Sequence, residues 1–189
     1  MADNAPGRRI SVVGCSGSGK TTLARQLARR LGYPHVELDA LYHQPNWQPL
    51  ADEVFLHQVN EQLQGEHWVV EGNYSLVRPQ ILKHSDMVIW LDLPRATVMR
   101  QVILRTLKRL LSREELWNGN RERWSNLFKL NPRQSILAWA WTRHPVYRKR
   151  YTAEMQAVTP NQRYIRLGSH AAAEQLLNSL CAQVPARRT

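Results

Sequence analysis

Apolar positions along the chain recur with two alternating periods, and each change of period marks a change of element. Residues 9–13, Arg-Ile-Ser-Val-Val, are a short β-branched run and predict a first strand. Leu23, Leu27 and Leu31 then fall four residues apart, the spacing of a helix with one buried face. Gly32-Tyr33-Pro34 breaks that helix, and residues 35–39 read as a second strand ending in the carboxylate of Asp39. Residues 40–49, with Tyr42, His43, Trp47 and two prolines, carry no period. Residues 53–64 then fit a helix with Val54, Leu56, Val59 and Leu63 inward. Residues 67–71 are a third strand ending in Glu71, and 74–83 a short helix in which Pro79 must sit early or cause a kink.

Residues 86–92 are almost unbroken in apolar character, as in a strand buried on both faces. Pro94 opens a long helix whose apolar set over 97–111 is Val98, Met99, Val102, Ile103, Leu107 and Leu110. Residues 112–143 are rich in Arg, Asn and Trp, with turn signals at Asn118-Gly119-Asn120 and Asn131-Pro132; they predict an inserted lid of helical pieces. A returning helix over 145–157, a fifth strand over 163–167, a closing helix over 171–181 and a flexible tail at 185–189 complete the chain. Strands alternating with helices predict an α/β fold with a parallel sheet. At 189 residues one domain is expected over 1–189, with residues 40–65 as a flap.

The net charge of +11 is concentrated, since residues 95–150 hold 14 Lys and Arg against 3 Asp and Glu. Such a block is a clamp for polyanionic ligands, a nucleic-acid surface, or a solvated helical face. Residues 1–8 have no apolar signal core, no stretch is long enough to span a bilayer, and Cys15 and Cys181 do not suggest a disulfide scaffold. The expectation is a cytoplasmic protein without membrane attachment, a monomer or weak homodimer.

The chemistry centres on Gly14-Cys15-Ser16-Gly17-Ser18-Gly19-Lys20-Thr21, a complete phosphate-binding loop between a predicted strand and a predicted helix. Glycines let consecutive backbone N–H groups turn inward around phosphate oxygens, and the helix adds its positive end. Gly14, Ser16, Gly17, Ser18, Gly19, Lys20, Thr21 and Thr22 are therefore the predicted ATP-binding residues. Lys20 brings charge to the β- and γ-phosphates, and the Thr21 hydroxyl is placed for Mg²⁺.

Two strand-end carboxylates extend the site. Asp39 orients or deprotonates an acceptor hydroxyl, holds a metal-bound water, or caps the following turn; Glu71 reaches the Mg²⁺ water shell or pairs with a lid arginine. Arg105 and Arg109, one turn apart, are the first candidates to neutralise transition-state charge, ahead of Arg100, Arg113, Arg121, Arg123 and Arg143. Trp117, Trp124, Trp139 and Trp141 either stack on a base or pack the lid. No guanine-reading N-K-x-D sequence is present.

Taken with Leu38 to His43, Trp68 to Tyr74, Val88 to Pro94 and Glu115 to Asn120, the loop resembles the adenylate-kinase-related bacterial P-loop kinases, most closely the group labelled DNA topology modulation proteins. The resemblance spans most of the chain. It implies a nucleotide-kinase fold with a five-stranded parallel sheet in the order 2-3-1-4-5, a substrate flap, an arginine-bearing lid, and use of ATP with Mg²⁺. Glu71-Gly72 stands where adenylate kinases carry Asp-Gly before a Pro-Arg pair. Here Asn73-Tyr74 follows, which leaves Arg78 as the candidate clamp on the acceptor. The implied activity is transfer of the γ-phosphoryl group to a small acceptor: a nucleotide, a nucleoside or a hydroxylated metabolite. The rivals are an ATP-dependent nucleic-acid-binding regulator that grips backbone phosphates with its basic lid, and an ATP-binding module without turnover.

Overall fold

The computed structural model describes residues 7–122, 124 and 135–182. Arg123, the Asn131-Pro132 turn and the 185–189 tail lie outside the described residues. Five strands, β1 (Arg9–Gly14), β2 (His35–Glu37), β5 (Trp68–Glu71), β6 (Met87–Leu91) and β7 (Arg163–Leu167), form one sheet. Their order is β2-β5-β1-β6-β7, with every pairing parallel. Counting sheet strands alone, this is the expected 2-3-1-4-5.

Helices cover both faces. Ile10, Val12, Ile89 and Leu91 pack with α1 (Lys20–Leu31) and α7 (His170–Cys181) on one side. The alternate residues Val13, Val88 and Trp90 pack on the other side with α5 (Arg95–Ser112) and α6 (Ile136–Gln156). The strands read as unbroken apolar runs because the pleat sends successive side chains to two different cores. A third cluster seats α3 (Asp52–Gln62) and α4 (Arg78–His84) against β2 and β5 through Phe55, Val59, Trp68 and Ile81.

Several boundaries and faces differ from the sequence expectation. The second strand stops at Glu37, and Asp39 sits in the first turn of the short helix α2 (Leu38–Tyr42). Residues 43–49 are ordered as a small hairpin, β3 (His43–Gln44) against β4 (Gln48–Pro49), joined by a 3-10 turn over Pro45–Trp47. The α3 face is Phe55, Val59 and Leu63, while Val54 is 44% exposed. Helical spacing fits either set, and the Phe55 ring packs edge-on against Tyr42 and Tyr74 in that cluster.

In α5, Val98, Val102, Thr106 and Leu110 are buried, whereas Ile103 and Leu107 are exposed. Helix α6 begins nine residues before the expected start and carries Pro145 in its interior. Its true start is marked by Ser135, whose hydroxyl accepts from the Ala138 amide, a side-chain cap that the proline obscured. Pro79 stands in the first turn of α4, where its missing N–H is harmless.

Candidate active site

The carboxyl ends of β1, β2 and β5 open into a cleft of about 1690 Å³, the end of a parallel sheet where ligands gather. The phosphate loop forms its floor. Gly17 has φ +84, and a Cβ there would stand 2.2 Å from Val102 Cγ2, so the loop lies directly against α5. Gly19, at φ 90, makes the left-handed turn that starts α1, a helix with no acidic residue in its first turn. The positive end of that helix thus faces the cleft uncompensated.

Of the predicted ATP-binding residues, Ser16, Gly17, Gly19, Lys20, Thr21 and Thr22 line the cleft. Gly14 and Ser18 do not. The Gly14 carbonyl accepts from Asn73 Nδ2 at 2.7 Å. Ser18 is fully buried beneath the loop, with its amide turned onto the Cys15 carbonyl at 3.0 Å. Their part is to shape the loop from behind.

Glu71 ends β5 beside this floor. Its Oε1 accepts from Thr21 Oγ1 at 2.9 Å, and its Oε2 lies 4.0 Å from Lys20 Nζ. The residue is 1% exposed and Oε2 has no hydrogen-bond partner. Burial pushes its carboxyl up to about 7, with Asp39 adding to the rise and Lys20 opposing it. At 4.0 Å the lysine does not offset the desolvation. An orphaned carboxylate oxygen beside a threonine hydroxyl is the donor set that suits a hard cation such as Mg²⁺. Among the described residues no group of three or more His, Cys, Asp or Glu is placed to hold a metal.

Asp39 faces the same cleft from α2. Tyr74 donates its phenol proton to Asp39 Oδ1 at 2.7 Å, with His43 Nε2 3.4 Å from the phenol oxygen. Burial, then the charge of Asp39, pushes the Tyr74 phenol far above its ordinary range, so it stays a donor. Glu37, which the sequence analysis passed over, also lines the cleft. Burial raises its carboxyl, while a hydrogen bond from Trp117 and the charge of Arg25, 3.7 Å away, oppose the rise.

Arg105 and Arg109 both reach the cleft from α5, but they differ in state. Arg109 is 4.0 Å from Glu114 and 3.9 Å from Glu122. Arg105 keeps a buried Nε without a partner, and burial with the neighbouring Arg109 lowers its guanidinium from the usual range. Arg143 and Arg150 line the cleft from α6, Arg143 lying 4.6 Å over the Trp139 ring. Arg100 and Arg113 are exposed, and Arg121 pairs with Glu115 at 3.3 Å. Trp141 packs under Arg95 and Trp124 is 51% exposed; of the four candidate lid tryptophans, Trp117 and Trp139 line the cleft.

Arg78, the expected acceptor clamp, stands apart from the other candidates. It does not line the cleft; it is buried behind the sheet, donating to Ser11 Oγ at 3.0 Å and to Glu154 Oε2 at 2.6 Å. The kinase resemblance made it the candidate clamp, but α4 turns it towards α6, where the half-buried Glu154 pairs with it. The residues that do stand beyond Glu71 are Asn73 and Tyr74. Asn73 ties Gly14 to α6 by accepting from Tyr151 at 2.7 Å. Their position just past a strand's carboxyl end was the signal available in the sequence.

Residues 10–114 match the family model described as the AAA domain. The chain belongs to that family. Its relatives include the shikimate kinase of Synechococcus elongatus, 27% identical over 63% of this chain and 74% of that protein. The cytidylate kinase of Pyrobaculum aerophilum is 30% identical over 65% of this chain and 76% of its own length. Among solved structures, the shikimate kinase of Bacteroides thetaiotaomicron superposes with a TM-score of 0.56 at 15% identity, covering 92% of this chain and 96% of that one; it shares the fold. The chain is thus a P-loop small-molecule kinase of an ATP-using family. No helix among the described residues is long and apolar enough to cross a membrane.

Proposed function

We propose that the protein transfers the γ-phosphoryl group of Mg·ATP to a hydroxyl of a small acceptor, a nucleotide, nucleoside or hydroxylated metabolite, and that Asp39 receives the hydroxyl proton. The observation that carries this reading is the placement of Asp39 in the same cleft as Lys20, with one carboxylate oxygen occupied by Tyr74. That bond fixes the carboxylate and leaves Oδ2 for the acceptor. Phosphoryl transfer depends mainly on in-line positioning and charge neutralisation. Lys20 and the loop amides hold the phosphates. Arg105, whose guanidinium makes no ion pair among the described residues, meets the charge that develops on the transferred group. The Thr21 hydroxyl and, through water, Glu71 would hold Mg²⁺, which supplies further neutralisation.

The names of the relatives favour acceptors of the shikimate or cytidylate kind. The likeness to DNA topology modulation proteins rests on the residue blocks alone. A nucleic-acid grip draws on the basic excess of residues 95–150, yet Arg109 and Arg121 are already paired with lid carboxylates. The experiment follows label from the γ-phosphate of Mg·ATP over a panel of such acceptors, and separately with DNA, in wild type and Lys20→Ala. Transfer to one acceptor, reduced about 10³-fold by the substitution, is expected. Release to water alone, stimulated by DNA and suppressed by salt, would sink the kinase reading.

A further inference from the structure

The Asn118-Gly119-Asn120 turn, which has no part in the phosphate chemistry, makes a dense set of contacts across the cleft. Asn118 Nδ2 donates to the carbonyls of His43 at 2.6 Å and Ala40 at 3.3 Å. Asn120 Nδ2 donates to Gln44 O at 2.9 Å, while its Oδ1 accepts from the Trp47 amide at 2.8 Å. Trp47 Nε1 donates to Arg121 O at 3.3 Å. Every one of these bonds joins the flap to the lid, four at the hairpin and one at Ala40 of α2, across more than 70 residues of sequence. Asn120 is 3% exposed, and its remaining proton goes to Trp117 O at 2.9 Å. A buried amide with both donors and its carbonyl engaged is a specific joint, costly to leave half made.

The joint also sets an aromatic wall. Trp117 stacks on His43 with centroids 5.8 Å apart, meets the edge of Trp47, and hydrogen-bonds to Glu37. Glu37, Asp39, His43, Trp47 and Trp117 all line the cleft. Carboxylates accept from hydroxyls, and aromatic faces cover the carbon skeleton between them.

We propose that Asn118 and Asn120 are positioning residues that fasten the flap to the lid, so that the acceptor end is roofed before the acceptor arrives and admits a compact hydroxylated molecule while excluding bulk water and polymers. The acceptor part of this proposal rests on the kinase reading; the fastening does not. Two variants of the full chain test it. Asn118→Gly removes the amide while suiting the backbone, since Asn118 has φ 54, and Asn120→Ala removes the buried joint.

In the free protein, backbone amide exchange over residues 43–50 and 115–121 is expected to quicken together by about tenfold or more in each variant, with β1 and α1 unchanged. ADP formation from Mg·ATP without any acceptor is expected to rise by about three- to tenfold as water enters. Faster exchange in 115–121 alone overturns the fastening. Coupled exchange without a rise in hydrolysis overturns the roof. If wild type neither transfers nor hydrolyses while exchange remains coupled, the kinase reading and the acceptor class fall and the fastening stands.

Discussion

At the phosphate end of the cleft, consecutive residues from Gly14 to Thr21 act largely through backbone amides, glycine dihedrals and the start of one helix. At the acceptor end, Glu37, Asp39, Tyr74, Arg105 and Trp117 come from separate segments and act through side chains. The first arrangement is local, so it survives as long as β1 and α1 pack. The second exists only when α2, the loop after β5, α5 and the lid are all in place. The difference teaches that recognising the donor and recognising the acceptor are separate structural problems in this molecule, solved at different sequence ranges.

The sharpest way to separate the two ends is Asp39→Asn. Transfer is expected to fall about 10²–10⁴-fold, with ATP affinity unchanged because the phosphate end is untouched. Single-turnover kinetics with an ATP-binding titration check this; a parallel loss of ATP affinity would mean that the two ends are one site.

Arg78→Ala probes the residue that the sequence assigned to the acceptor. Removing it strands Glu154 in a mostly buried position, so stability is expected to drop by about 3–5 kcal/mol in urea denaturation. The acceptor KM should stay at the wild-type value. A raised KM at unchanged stability would return Arg78 to the acceptor site.

The smallest effect concerns pH. The Glu71 carboxyl stands at about 7 in the fold against 4.5 for the ordinary group. Between those values the folded protein holds a proton that the unfolded chain releases, so this group makes stability fall as pH rises from about 4.5 to about 7. Glu71→Gln is expected to flatten that part of the slope when denaturation is followed across the window in buffer free of nucleotide and Mg²⁺. An identical slope in the variant would show that Glu71 is ionised throughout.

Much of the fold was legible because its signals are local. A β-branched run, a glycine loop and leucines at four-residue spacing specify β1, the phosphate loop and α1 without reference to anything else, and Trp68–Glu71, Met87–Leu91 and Arg163–Leu167 fall within a residue or so of their expected bounds. Faces were harder to read. Val54 or Phe55, and Ile103 or Thr106, satisfy similar helical spacings, and the choice is made by the volume available on the opposing element. Helix α6 runs through Pro145 rather than starting there, because packing of Ala140 and Tyr147 against Trp90 and Val98 holds it on both sides of the proline.

By itself, the sequence determined a phosphate-binding loop carrying Lys20 and Thr21 at the end of a parallel strand, since such a cradle needs only short-range dihedrals and one helix terminus. The tertiary structure alone decided that Arg78 pairs with Glu154, that Glu37 joins Asp39 in the cleft, that Arg109 lies within 4.0 Å of Glu114 while no ion pair forms at Arg105 among the described residues, and that Asn118 and Asn120 reach the flap. Each of those outcomes depends on which distant group wins a buried side chain. That competition is settled by desolvation and geometry among elements far apart in the chain, and no spacing along the sequence records it.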